Sequence, residues 1–241
     1  LINQKGMSSN SEVSYGARIG NAEKLVAALQ NFNNYTPIKP EYSITAYNDL
    51  ITAIKSQNND VASKKQSYSL AVEKRKQVYD LKTNAINKLL SPINAAVKVS
   101  FGRTAKEATD IASIIAKIRG ANIKNKKTAN PDEATVSQSY QSFNSKAQFF
   151  ADLIANLSNF GTDYTPANSE ITVTELNNRY NDAITANNDV MNNFTQFVQN
   201  NKLRIESYNT LSQIGIRIKD SIKAQYGNNS TEYNLVKGLK I

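Results

Sequence analysis

The 241 residues include no Cys and no His, which removes thiol and imidazole chemistry, disulfides and nearly all zinc sites. Apolar residues make up 40% and charged residues 20%, enough to build a core, while 9 Gly and 5 Pro are too few turn formers for an all-β sandwich or barrel. The net charge of +9 is uneven: 17 Lys+Arg stand against 9 Asp+Glu over 1–120, 3 against 2 over 121–136, and 9 against 9 over 137–241.

In chain order, residues 1–12 are polar and aperiodic and read as a flexible lead-in. Ile19, Leu25, Val26 and Leu29 then recur near helical spacing and predict a helix from about Tyr15 to Phe32. Tyr35-Thr36-Pro37 and Pro40 mark a loop, and Ser43 is a candidate N-cap. From Ser43 to Leu81, alternating steps of four and three give Tyr47, Ile51, Ile54, Asn58, Val61, Lys65, Tyr68, Val72, Arg75 and Tyr79. That spacing places all ten on one stripe of a long helix, with nothing decisive to stop it before Leu90. Ser91-Pro92 reads as a restart, with Pro at the first helical position, and Gly102 as a stop. Thr104 with Glu107 reads as a capping box before a last helix through Ile118, closed by Gly120.

Residues 121–136 are polar, contain Asn130-Pro131 and read as a linker. The plan then repeats. Shifting the long stripe by 129 gives Leu176, Tyr180, Ala183, Asn187, Val190, Phe194, Phe197, Asn201, Arg204 and Tyr208. Asn58/Asn187, Val61/Val190, Arg75/Arg204 and Tyr79/Tyr208 match outright. Tyr164-Thr165-Pro166 repeats the loop, Thr172 the cap, Tyr226-Gly227 the stop, and Asn229 with Glu232 the capping box. The shift falls to 125 at Tyr226, so the first copy holds four extra residues near Lys82 to Leu90. The expected fold is all-α: an elongated bundle of two tandem copies, a basic one at 13–120 and a neutral one at 137–241, whose long helices pack together.

The order of short helix, Tyr-Thr-Pro loop, long helix with an Arg-x-x-x-Tyr end, aromatic-Gly stop and Ser-x-Glu-Tyr segment resembles a group of uncharacterised tandem-duplicated helical proteins of Bacteroidetes-type bacteria. Here those features are Tyr164 to Pro166, Arg204 to Tyr208, Tyr226-Gly227, Ser230 to Tyr233 and Val236 to Leu239. The first copy departs from the pattern, since Thr104 to Ile118 has no Tyr. The resemblance implies the fold and carries over no catalytic residue, because those relatives have no established activity.

Polar Asn58, Arg75, Asn187 and Arg204 on apolar stripes are expected to set the register between the long helices rather than to line a binding groove. Tyr35/Tyr164, Tyr79/Tyr208 and Phe101/Tyr226 are expected to close the ends of a core. Lys64, Lys65, Lys74, Arg75 and Lys76 are candidate polyanion contacts, although interleaved Glu73 and Asp80 favour a solvated face. Asp49, Asp60, Asp182 and Asp189 lie near the stripes with no base, nucleophile or phosphate loop to pair with. The sequence therefore predicts a non-enzymatic structural or interaction protein, with no cofactor, metal or small-molecule substrate. Its partner is another protein or a second copy, and the alternative is a nucleic-acid-binding module using the basic copy. No apolar run approaches the roughly 20 residues of a membrane span, and no signal peptide is visible. A cytoplasmic location is expected, with the missing initial Met leaving an upstream segment open.

Overall fold

The computed structural model describes residues 10–120 and 136–241, with side chains over 14–120 and 143–241. Of the expected lead-in over 1–12 and linker over 121–136, residues 1–9 and 121–135 lie outside the described residues; Asn10 to Glu12 and Val136 belong to helices. The described chain is all-α and contains no strand. Its α-helices are α1 (Asn10–Gln30), α2 (Ile44–Lys76), α3 (Ile86–Phe101), α4 (Lys106–Ile118), α5 (Val136–Asn159), α6 (Val173–Tyr226) and α7 (Thr231–Val236).

The two long helices begin where sequence places them. The Ser43 hydroxyl accepts from the Ala46 amide (3.2 Å) and the Thr172 hydroxyl from the Glu175 amide (3.3 Å), each filling an amide that the first turn leaves open. At the far ends, Gly102 (φ 96°) and Gly227 (φ 99°) take the left-handed backbone that stops α3 and α6.

Three expectations about the helix ends need correction. The break in the first copy falls at 82–85, after a π-helical stretch Gln77–Leu81, and not at Ser91-Pro92. Pro92 is inside α3. A proline there costs roughly 3 kcal/mol, but starting at Ile86 buries Ile86, Leu89 and Leu90 beside Ile93 and Val97. At about 1.5–3 kcal/mol for each fully buried aliphatic side chain, the three extra side chains outweigh the proline. Thr104 does not cap α4: Ala105 is the N-cap and has no side-chain acceptor, because the buried face Ala108, Ile111, Ile115 and Ile118 sets the register one residue later. α7 is capped by Ser230 and not Asn229, the Ser230 hydroxyl accepting from the Tyr233 amide (3.1 Å).

Ile44 to Phe101 spans 58 residues, whereas α6 covers the matching stretch in 54 without interruption. The four surplus residues are absorbed by the π-helical stretch and the 82–85 connection.

The chain divides into two compact units, and neither coincides with a sequence copy. Among the described residues, one consists of 10–64 and 196–241, the other of 65–120 and 136–195. Both divisions fall within helices, α2 and α6. In the first unit, α1, the start of α2, the end of α6 and α7 enclose a core of Leu25, Leu29, Tyr47, Ile51, Ile54, Tyr208, Leu211, Ile218 and Ile222. In the second unit α4 packs on both α3 and α5, and Ile86, Leu90, Ile93, Ile111, Phe150, Leu153 and Leu176 fill the core. Within the first unit Tyr47, Asn58 and Lys64 meet Leu211, Tyr208 and Gln196. Within the second, Tyr68, Lys74 and Tyr79 meet Phe194, Asp189 and Asn187. Partner numbers fall as α2 numbers rise, so α2 and α6 are antiparallel in each unit.

Candidate functional site

The polar residues on the stripes build two clamps, one inside each unit. In the second unit the Tyr79 hydroxyl donates to the Phe143 carbonyl (3.0 Å) and accepts from the Asn187 amide nitrogen (3.1 Å), which also donates to Asn144 Oδ1 (3.1 Å). Tyr79 meets the Phe143 ring edge-on at 4.7 Å, and the buried Arg75 guanidinium lies 4.1 Å from that ring's centroid. In the first unit Asn58 donates to the Tyr208 hydroxyl (2.9 Å), and Tyr208 stacks on Tyr15 at 4.2 Å. Arg204 lies 4.8 Å from the Tyr15 centroid and donates to Asn201 Oδ1 (2.8 Å). The corresponding members are Asn58/Asn187, Arg75/Arg204 and Tyr79/Tyr208, with Tyr15/Phe143 as the aromatic partner that sequence reading missed. Residue spacing alone did not announce Tyr15 and Phe143; only their position ahead of each apolar run, 128 residues apart, signals them.

In the second-unit clamp burial dominates the electrostatics of the phenol. It pushes the Tyr79 phenol up to about 12, against the opposing pull of the Asn187 hydrogen bond and the Arg75 charge. Tyr164, donating to the Ile171 carbonyl at 2.8 Å, is likewise raised to about 12 by burial, and Tyr47 is raised further. A phenol held neutral across the physiological range and spent on a carbonyl is a structural donor, not an acid or base for chemistry near pH 7.

Three of the five candidate polyanion contacts have partners within the protein. Lys64, half-buried in the first unit, donates to Gln196 Oε1 (2.9 Å). In the second unit Lys74 pairs with Asp189 (2.9 Å), Arg75 is buried in the clamp, and Lys65 and Lys76 are exposed. Those two exposed lysines stand eleven residues apart on α2, about 16 Å along the axis. Of the acidic candidates, Asp182 pairs with Arg179 (3.3 Å), while Asp49 and Asp60 are exposed. Among the described residues no group of three or more acidic side chains is placed to hold a metal ion. No helix among them is long and apolar enough to cross a membrane.

Each Tyr-Thr-Pro loop borders a shallow apolar groove. In the second unit Thr165 to Asn168 face Ala96, Val99 and Ser100; in the first, Thr36 and Ile38 face Ser221, Ala224 and Gln225. The helix positions correspond at a shift of 125 and the loop positions at 129. In the first unit Gln225 occupies part of the groove, accepting from the Thr36 amide (3.0 Å) and donating to the Asn34 carbonyl (2.5 Å).

Comparison of the chain with protein-family models, curated proteins and solved structures returns no match.

Proposed function

We propose that the chain is a non-enzymatic structural or interaction protein, a helical scaffold that forms part of a larger protein assembly. The observation that carries this reading is the clamp. The same Asn–Tyr–aromatic–Arg set recurs in each unit, tying α6 to α2 and α1 in the first and to the π-helical stretch and, through Arg75 and Phe143, α2 to α5 in the second, so the buried polar groups are invested in helix-to-helix contacts. We read the pairing of each clamp with its counterpart as the outcome of a tandem duplication. In that reading, each unit joins the first half of one copy to the second half of the other. Kinship with the bacterial helical group that the motifs resemble belongs to the same proposal. The polyanion alternative has less support, because Lys64, Lys74 and Arg75 are already engaged within the protein.

The test is the solution mass by size-exclusion chromatography with light scattering, at low and high salt. A mass above the 26.6 kDa of one chain that survives salt is expected. A monomer in both conditions that also takes up no stoichiometric protein partner would remove the scaffold reading.

A further inference from the structure

One face of α6 in the first unit is unpartnered among the described residues, and its chemistry is self-complementary. Val198, Ile205 and Ile216 are 45%, 40% and 53% exposed. Their spacings of seven and eleven residues place them within about 20° of one line along the helix. To one side of that line run Lys202, Glu206, Asn209, Gln213, Arg217 and Asp220, all exposed. Among the described residues the side chains of Lys202, Glu206 and Asp220 form no ion pair. Arg217 touches Tyr42 through Nη1 (3.2 Å), and the hydrogen bond and nearby Glu41 hold its guanidinium firmly charged.

We propose that this face docks on the same face of a second copy of the chain, with the two α6 helices antiparallel. In an antiparallel helix pair, residues flanking one side of the apolar line face residues on the same side of the partner helix. A twofold axis passing by Leu211 then sets Ile205 against the partner's Ile216, Lys202 against the partner's Asp220, Glu206 against the partner's Arg217, and Asn209 against the partner's Gln213. The position numbers of these four pairings add to 421, 422, 423 and 422, so a single register satisfies all of them. The twofold generates each contact twice, giving four ion pairs around four isoleucines. A hydrophobic line flanked by matched charges is the pattern of a specific homodimer, and a parallel alignment would set this flank against the partner's other flank and form none of these ion pairs. The inference rests on the scaffold reading and names one of its partners.

Charge exchange in the full-length chain tests it, with sedimentation velocity over a concentration series as the readout and circular dichroism to check the fold. Wild type is expected to form a dimer of twice 26.6 kDa. Lys202→Glu alone and Asp220→Lys alone should each raise the dissociation constant about tenfold or more, since each sets like charges face to face twice. The double exchange Lys202→Glu with Asp220→Lys should recover the wild-type value. Ile205→Asp should give a folded monomer. A dimer unmoved by both single exchanges overturns the register and leaves the scaffold reading standing, because the chain still assembles. A wild-type chain that remains monomeric at the highest concentration overturns the proposal, and it reaches the scaffold reading only if no other protein partner binds either.

Discussion

Removing the Tyr79 hydroxyl should test whether the clamp is structural. In Tyr79→Phe the Phe143 carbonyl loses its side-chain donor, and Asn187, which is 1% exposed, keeps only Asn144 as a partner. A buried polar group stripped of a partner costs about 1–3 kcal/mol, so the single change should destabilise the protein by about 1–2 kcal/mol. Asn187→Leu strands the Tyr79 hydroxyl less, because its bond to Phe143 survives, but it forfeits two hydrogen bonds for about 1–2 kcal/mol. With both changes the pair becomes an apolar contact of similar shape, and the combined cost should fall below the sum by at least about 0.5 kcal/mol. The assay is urea unfolding followed by far-ultraviolet circular dichroism on the four members of the cycle. Additive costs, or a silent Tyr79→Phe, would refute the idea that these groups hold the π-helical stretch to α6. Asn58→Leu in the first-unit clamp should cost less than Asn187→Leu, because half-buried Asn58 leaves water able to replace it at the Tyr208 hydroxyl.

Further outcomes follow from the same geometry. Gly215→Ala should destabilise by about 1–2 kcal/mol in thermal melts: a Cβ there would lie 2.7 Å from the Tyr47 hydroxyl and 3.0 Å from Ile241 Cδ1, which outweighs the gain in helix propensity of about 1 kcal/mol. Ser43→Ala should cost about 1 kcal/mol through loss of a cap, whereas Thr104→Ala should be neutral because Thr104 caps nothing. Stability should decline as pH rises from about 10, where an unfolded tyrosine ionises, through the value of about 12 to which Tyr79 and Tyr164 are raised. The folded state keeps those protons longer than the unfolded state, so the stabilisation is complete below pH 10 and is lost above it. Melts across that range should show a shallower decline in Tyr79→Phe than in wild type.

The helices were legible because their signals are local. Apolar residues at steps of three and four, Ser43 and Thr172 as caps, and Gly102 and Gly227 as stops each act within a turn or two. The inter-helix role expected of Asn58 and Asn187 needed only the stripe. Assembly was less legible. Which half of α2 packs with which half of α6 depends on contacts between residues more than a hundred positions apart, such as Asn58 with Tyr208, and nothing local distinguishes them. The inward turn of Arg75 was hidden for a related reason: Arg75 and Lys76 are neighbours in sequence, but a helix turns about 100° per residue, so one is buried and the other exposed. Val198, Ile205 and Ile216 were hidden among other apolar positions until burial separated the inner face from the outer one.

The interruption at 82–85 offers the sharpest check on the proposed duplication, in which 13–120 and 137–241 share one plan. Through Tyr79/Tyr208 the copies correspond at a shift of 129, and from Ile86/Leu211 onward at 125, with Ile93/Ile218 and Val97/Ile222 buried alike. Deleting Lys82 to Ala85 would remove the four surplus residues and give the first copy the 54-residue length of α6. Because the flanking residues then hold the spacing that α6 already uses, α3 should keep its buried face, and α2, the π-helical stretch and α3 should merge into one helix. The shortened chain should fold with higher helicity per residue by circular dichroism, and amides near Asp80 should gain protection from hydrogen exchange. Lost are the bonds from Asn87 to Asp80 and from Lys88 to the Leu81 carbonyl. Lys88 is exposed and Asn87 half-buried, so these should cost no more than about 1 kcal/mol each. A deletion variant that cannot fold, or folds with amides near Asp80 as open as in wild type, would show that the break is a required feature of the first copy and that the shared register is coincidental.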